Sequence, residues 1–343
     1  MHTKRVTLAD VAVDAGVSKA TVSLVVRESP LVADDTRARV LQSIKSIGYV
    51  YNRAAAGLRS QRTQSIGLIV SSIANPFFAE VVLGVETRMS ESGHTVLFTQ
   101  HSESLGSQRK LIEVMLETRV DGVLLVPAHG TPSEHVDRLR AAGTPVAVLT
   151  RRIAAARVPY IGSDNRAGAR VAGAHLIEHG ARRIAFVGGV AQSSPYVERE
   201  EGLLAAVAMS GAEVEVRSLP STPTREAGYD TTRRLLERGE QVPDAILAYN
   251  DNLAAGVMAA IMDHGLTVGI DVKVVGFDDI ASARYLMPSL TTISTRPSLI
   301  GSLAAETLLK LMADPEADED LVVPNSLSVR ASCGCSYDGS DAR

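Results

Sequence analysis

Four polar pairs stand just after short branched-apolar runs: Thr150-Arg151, Asp164-Asn165, Asn250-Asp251 and Asp278-Asp279. Carboxylates beside amides both accept and donate hydrogen bonds, which suits ligands rich in hydroxyls. Phosphate-cradling chemistry finds less support. Gly188-Gly189 follows an apolar run, but neither a full G-x-G-x-x-G nor a G-x-x-x-x-G-K-[ST] stands there. The acidic pairs have no nucleophile motif and no histidine cluster beside them, so catalysis is not expected. His94, His101, His179 and His264 read as helix-end or surface residues. Cys333-Gly334-Cys335 lies in what reads as a polar tail, and C-x-C alone is a weak signal for metal or redox chemistry. No cofactor and no metal are expected.

A second kind of chemistry is concentrated at the N-terminus. Residues 1–62 carry ten Lys/Arg against five Asp/Glu, whereas the remainder carries 25 against 34. A basic head on an acidic body is the pattern of a chain that meets a polyanion through its head alone. Within that head Thr7 is a good N-cap, and Leu8, Val11, Ala12 and Ala15 follow at helical spacing. Gly16 stops this helix where a positive φ is wanted. Ser18 then caps a second helix whose inward side is Val22, Val25 and Val26. Small Ala12 followed by Gly16 and Val17 is what two steeply crossing helices require at a short turn. A third helix over 34–47 should turn Val40, Leu41, Ile44 and Ile47 inward, with Asp34 and Asp35 at the positive end of its dipole. An αα-hairpin without a nucleic-acid role is the alternative, and the basic surroundings favour a helix-turn-helix.

The elements that must position the polar pairs come from Ser65 onward. Strands are expected at Ile66–Val70, Thr95–Thr99, Gly122–Val126, Val146–Leu149, Ile184–Val187, Val214–Arg217, Ala245–Ala248 and Lys273–Val275. Helical patterns separate them at Phe77–Ser92, Ser107–Glu117, Asn165–Glu178, Glu198–Met209 and Asn252–Asp263. Such alternation predicts parallel sheets covered by helices, with ligands at the carboxyl ends of the strands. At 343 residues there is room for two or three domains. No apolar run reaches the roughly 18–20 residues of a membrane helix. The start Met1-His2-Thr3-Lys4-Arg5 has no apolar stretch behind it, so no secretory leader is expected and the cytoplasm is the expected compartment.

Taken together, several stretches resemble the lactose-repressor (LacI/GalR) family. They are Val6-Thr7-Leu8-Ala9-Asp10-Val11-Ala12, Ala15 through Ser23, Gly48-Tyr49-Val50-Tyr51-Asn52-Arg53 on to Leu58, Ser65 through Val70, Asn75-Pro76-Phe77-Phe78, Val275 through Asp279, and Pro288 through Ile293. The match runs from about residue 5 to 332. It implies a small all-α helix-turn-helix headpiece followed by an α/β two-lobed, periplasmic-binding-protein-like (type I) sensor with parallel sheets. The implied domains are 1–51 for the headpiece, 52–64 for a hinge helix and linker, 65–332 for the sensor, and 333–343 for a tail. Lobe one would be 65–162 with 293–322, and lobe two 163–292 with 323–332. A periplasmic sugar-binding protein shares the two-lobed plan, but the basic head and the expected lack of a leader count against it.

The resemblance also implies roles. Lys19, Ala20 and Leu24 fall where the family reads bases in the major groove, with Lys19 suited to guanine and Ala20 to a thymine methyl. Leu24 departs from the polar or basic residue that many relatives carry there. Thr7, Ser18, Thr21 and Ser23 would hold phosphates, and Asn52, Arg53 and Leu58 belong to the hinge, with Leu58 as a minor-groove wedge. Phe77, Phe78, Asp164, Arg199, Asn250, Asp278 and Thr295 match effector-contacting positions, and two places depart: Pro223 stands where several relatives stack an aromatic, and Thr150-Arg151-Arg152 stands where some carry an acid after the fourth strand of lobe one. Arg151 with Arg199 would favour a sugar acid or sugar phosphate over a neutral sugar. The alternative is that Arg151 and Arg152 are surface residues partnered with acids. The implied partners are a double-stranded DNA operator, a carbohydrate-derived small-molecule effector and a second copy of the chain in a homodimer, with no membrane. The implied function is a repressor released from a near-palindromic operator by its effector, and not an enzyme.

Overall fold

The computed structural model describes residues 6–27, 29–50, 63–237, 241–317 and 319–335. The chain divides into two compact units, residues 1–63 and 64–343. In the first unit α1 is Leu8–Asp14, α2 is Lys19–Val26 and α3 is Asp34–Ser46. Thr7 and Asp10 close a capping box: the Thr7 hydroxyl accepts from the Asp10 amide, and the Thr7 amide donates to the Asp10 carboxylate at 2.8 Å. Gly16 turns the chain with φ of 64°, and Ser18 caps α2 by accepting from the Thr21 amide at 3.1 Å. Val11, Ala12, Val22, Val25, Val32, Val40 and Tyr49 form the small core. Leu41 does not join it and is 51% exposed. At about 100° per residue, Val40, Ser43, Ile44 and Ile47 share one face of α3 and Leu41 falls off it. Ser43 is buried in its stead and donates to the Val11 carbonyl at 3.4 Å.

The second unit holds two six-stranded sheets. The first contains β1 (Ser65–Val70), β2 (Thr95–Gln100), β3 (Val123–Leu125), β4 (Val146–Leu149), β5 (Tyr160–Ser163) and β11 (Leu321–Val323), in the order β11-β5-β4-β3-β1-β2. The second contains β6 (Arg183–Val187), β7 (Glu215–Leu219), β8 (Ala245–Ala248), β9 (Lys273–Asp278), β10 (Thr291–Ser294) and β12 (Ser326–Ser328), in the order β12-β10-β9-β8-β6-β7. Only the β10–β12 pair is antiparallel among these strands. The covering helices are α4 (Pro76–Glu91), α5 (Leu105–Thr118), α6 (Glu134–Ala141), α7 (Asn165–Glu178), α8 (Ser194–Ser210), α9 (Arg225–Glu237), α10 (Asp251–Asp263) and α11 (Pro297–Ala313).

The chain passes between the sheets after β5, after β10 and after β11. Ile293 and Ser294 belong to β10 and stay with the second sheet, whereas β11 keeps 321–323 with the first. Strands β5, β10, β11 and β12 are only three or four residues long. Tyr160–Ser163, Thr291–Ser294 and Ser326–Ser328 mix polar or small residues with few branched apolars, so they lack the run that marks the equally short Val146–Leu149 and Ala245–Ala248.

The C-terminal turn is also not as expected. Cys333 is fully buried in a 3-10 turn, Ala331–Cys333, packed against the second lobe, so it is no part of a polar tail.

Candidate functional site

In the headpiece, Lys19, Ala20 and Leu24 lie on the outward side of α2, and Leu24 is 38% exposed. The Thr7 hydroxyl is committed to its capping box, and the Ser18 and Thr21 hydroxyls meet at 2.9 Å. Ser23 is half-buried. Asn52, Arg53 and Leu58 lie outside the described residues.

A cleft of about 320 Å³ opens between the two sheets at the carboxyl ends of their strands. Phe77 and Phe78 form one wall, with ring centroids 5.1 Å apart and planes at 88°. They are aimed by the start of α4, where Asn75 accepts from the Phe77 amide at 3.1 Å and Pro76 occupies the first turn. Arg151, Arg199, Asn250 and Asp278 line the cleft, and so does Pro223.

In three of the four polar pairs one member enters the cleft while the other braces the scaffold, and in the fourth Thr150 and Arg151 both line it. Asn165 lines the cleft, whereas Asp164 caps α7 by accepting from the Ala167 amide at 2.9 Å. Asn250 lines it, whereas Asp251 is buried beneath, accepting from the Thr292 hydroxyl and the Ile280 amide. Asp278 lines it, whereas Asp279 accepts from the buried Arg330 guanidinium at 2.7 Å. Thr295 is fully buried and donates to the Asp278 carbonyl at 3.2 Å, supporting the loop without lining the cleft. Asp164 and Thr295 are thus positioned to support the cleft, whereas Asn165 lines it together with Glu103 and Tyr249, two residues not singled out from the sequence.

Both arginines are already matched by acids. Arg151 is buried, and its Nη1 donates to both Glu103 carboxylate oxygens at 2.8 and 2.9 Å and to the Pro127 carbonyl at 2.9 Å. Neither surface exposure nor a free anion clamp describes it. Arg152 is the half-exposed member, paired with Asp320 at 2.6 Å and stacked over the Tyr160 ring. Arg199 lies over the Phe277 ring at 3.7 Å, donates to the Asn165 side-chain Oδ1 at 2.9 Å and to the Tyr249 main-chain carbonyl, and stands 4.0 Å from the Asp278 carboxylate. Burial pushes the Asp278 carboxyl well above its ordinary value, with Arg199 opposing and Asp251 and Glu80 reinforcing. Asp278 also has φ of 123° and Thr150 has φ of 61°. Backbone strain of this kind collects where side chains must be aimed at a ligand.

Burial alone would raise Glu103, but the Arg151 guanidinium and His129 outweigh it and hold the carboxyl below its usual range. Beside this pair His101 is buried, contrary to the surface position expected of it. Its Nδ1 accepts from the Glu103 amide at 3.0 Å and its Nε2 lies 2.9 Å from the Val126 carbonyl, which places the proton on Nε2. Burial and then Arg151 lower His129 to about 4. An imidazole kept neutral in the fold gives stability that is complete above its unfolded value of 6.5 and is lost as pH falls toward 4. Stability should therefore fall progressively as the pH drops across that window. Urea unfolding at pH 7 and pH 5.5 checks this, and His129→Phe should flatten the difference; an unchanged pH dependence in that variant would discard the assignment.

Comparison with known proteins adds independent findings. Residues 7–52 match the bacterial regulatory proteins of the lacI family, and residues 174–333 match a periplasmic binding protein-like domain. Catabolite control protein A of Priestia megaterium is 31% identical over 330 residues, spanning 95% of this chain and 99% of that protein. The lac repressor dimer bound to operator and the anti-inducer ONPF superposes with a TM-score of 0.85 at 28% identity, over 97% of this chain and 100% of that one. A transcriptional regulator, CelR, in complex with cellobiose superposes with a TM-score of 0.72 at 33% identity, over 96% and 100% of the two chains.

Proposed function

The chain belongs to the lacI family of bacterial regulatory proteins and is a DNA-binding transcriptional regulator, and from that premise we propose that its cleft takes a neutral sugar whose binding releases the headpiece from the operator. The observation that carries the choice of ligand is the charge balance of the cleft. Arg151 is paired with Glu103 at 2.8 Å and Arg199 stands 4.0 Å from the Asp278 carboxyl, so a carboxylate or phosphate entering there finds each guanidinium with an acid already beside it. A sugar fits differently. The apolar face of its ring can lie on Phe77 and Phe78 while its hydroxyls exchange hydrogen bonds with Asn250 and Asp278. The Asn250 side-chain oxygen is held by the Leu253 amide at 2.8 Å, so the side-chain nitrogen is the group it presents to a ligand.

The same reading supplies the rest of the mechanism. Lys19, Ala20 and Leu24 read the major groove, Thr7, Ser18, Thr21 and Ser23 hold its phosphate walls, and Asn52, Arg53 and Leu58 engage the minor groove. Two copies act as a homodimer on a near-palindromic operator, since two-fold symmetric protein reads two-fold symmetric DNA. Effector and operator are linked because each favours a different arrangement of the two lobes, and induction is a difference in effector affinity between those arrangements. The family consists of transcriptional regulators, and we assign this chain no enzymatic step. No helix among the described residues is long and apolar enough to cross a membrane, and we place the protein in the cytoplasm beside its operator.

A thermal-shift screen tests the ligand class, using the purified protein with neutral mono- and disaccharides, sugar acids and sugar phosphates. A true effector at a hundredfold excess over its Kd stabilises by about 2.7 kcal/mol. The expected hits are neutral sugars that also lower operator affinity. Hits confined to the acids or phosphates would overturn the charge argument, and a ligand that tightens operator binding would overturn induction.

A further inference from the structure

The end of α7 that points away from the cleft carries a group of side chains that effector and operator binding leave unused. His175 and His179 are four residues apart on one face of the helix end, with ring centroids 4.2 Å apart. The C-terminal turn approaches this face. Gly334, with φ of 84°, bends the chain between Cys333 and Cys335, so that both thiols lie beside the imidazoles. One ligand atom each from His175, Cys333 and Cys335 lie within 4.8 Å of one another. The Cys335 sulfur is 3.9 Å from His175 Nε2 and 3.1 Å from His179 Nε2.

We propose that His175, His179, Cys333 and Cys335 form a Cys2His2 site for Zn2+, clamping the C-terminal turn to the end of α7. Zn–S bonds of about 2.3 Å and Zn–N bonds of about 2.0–2.1 Å at tetrahedral angles put sulfur and nitrogen about 3.6 Å apart. The two Cys335 distances bracket that edge. The surroundings orient the donors as metal sites do. His179 Nδ1 is 2.8 Å from the His175 carbonyl and donates to it, which leaves the Nε2 lone pair facing Cys335. A helix C-terminus favours a cation. His175 and Cys333 are buried and Cys335 and His179 are more open, so the group has a closed inner side and an entry path. The donor set is soft and nitrogenous, which selects Zn2+ over Mg2+ or Ca2+. Ten residues of helix at about 1.5 Å each separate Asn165 in the cleft from His175, so this site is distinct from the effector pocket.

The test uses full-length protein, reduced and stripped of metal with EDTA, then titrated with Co2+ and afterwards with Zn2+. The expected result is one Co2+ per chain, with tetrahedral visible bands and a thiolate-to-cobalt charge-transfer band that Zn2+ abolishes. Cys335→Ser should remove the charge-transfer band from that residue and weaken binding at least tenfold, and His179→Gln should weaken it similarly. Both positions lie toward the surface, and retained operator binding shows that the variants fold. Zn2+ should also raise the melting temperature of the parent protein more than that of Cys335→Ser. An octahedral cobalt spectrum without a thiolate band, or binding unaffected by either substitution, would mean an adventitious ion only and overturn the proposal.

Discussion

Asp278→Asn is expected to weaken effector binding by about 10- to 150-fold while leaving operator affinity in the absence of effector unchanged. The estimate follows from losing a hydrogen bond to a charged group, about 1.5–3 kcal/mol. Asparagine is the informative replacement because it keeps the shape and tolerates positive φ better than most residues, and Asp278 sits at φ of 123°. The fold should not suffer. Burial pushes this carboxyl up, so its charge is held against a desolvation cost that Arg199 only partly offsets at 4.0 Å. The melting temperature should therefore hold or rise while ligand response falls, the pattern expected when stability is given up for binding. Removing the acid also takes a negative charge from beside Arg199, which keeps its hydrogen bonds to Asn165 Oδ1 and the Tyr249 carbonyl, so the variant should gain affinity for sugar acids relative to neutral sugars. Calorimetric titration and operator release measure both effects. A fully responsive variant would show that the effector is recognised elsewhere.

Gly84→Ala should lower stability by about 3 kcal/mol, even though the same change in an exposed helix ordinarily gains about 1 kcal/mol. A Cβ at Gly84 would stand 2.0 Å from the Ser298 carbonyl oxygen, and one at Gly301 would stand 2.1 Å from that of Val81. The two glycines let α4 and α11 cross backbone to backbone. The obstacle is main chain on a neighbouring helix, so no rotamer change relieves it. Helix α11 follows the second passage between the lobes, so this crossing anchors the returning chain to the first sheet. Gly106→Ala in α5 is the control, because its Cβ would meet nothing closer than 3.9 Å. Thermal unfolding of the three proteins decides the matter: equal melting temperatures for Gly84→Ala and the parent would remove the crossing as a determinant of the fold.

Much of the architecture was legible because it is written in local periodicity. Branched-apolar runs such as Ala245–Ala248 are buried along their full length, which is how strands of a doubly covered parallel sheet read. The headpiece was legible from Thr7, Gly16 and Ser18, whose conformational preferences act within three or four residues. Leu41 was misplaced because α3 offers two adjacent apolar residues, and helical phase admits only Val40 to the core. Residues of all four polar pairs gather at the cleft. Which member faces it was not legible, since Asp164 could as well have pointed inward as Asn165. The cap on the Ala167 amide and the Arg199 guanidinium decide that between them.

The sequence by itself determined the kind of molecule: a basic helix-turn-helix head, an alternating α/β body, and polar residues at strand ends where ligands bind. Tertiary structure decided the electrostatic character of the cleft and the fate of the cysteines. Arg151 finds Glu103 across 48 residues of chain and Arg152 finds Asp320 across 168. Cys335 meets His179 across 156. The physical reason is range. Propensity, capping and amphipathic period act over a few neighbours, so one sequence reports them directly. The sign of a local field, or the completion of a ligand set, depends on side chains that only folding brings within a few ångströms.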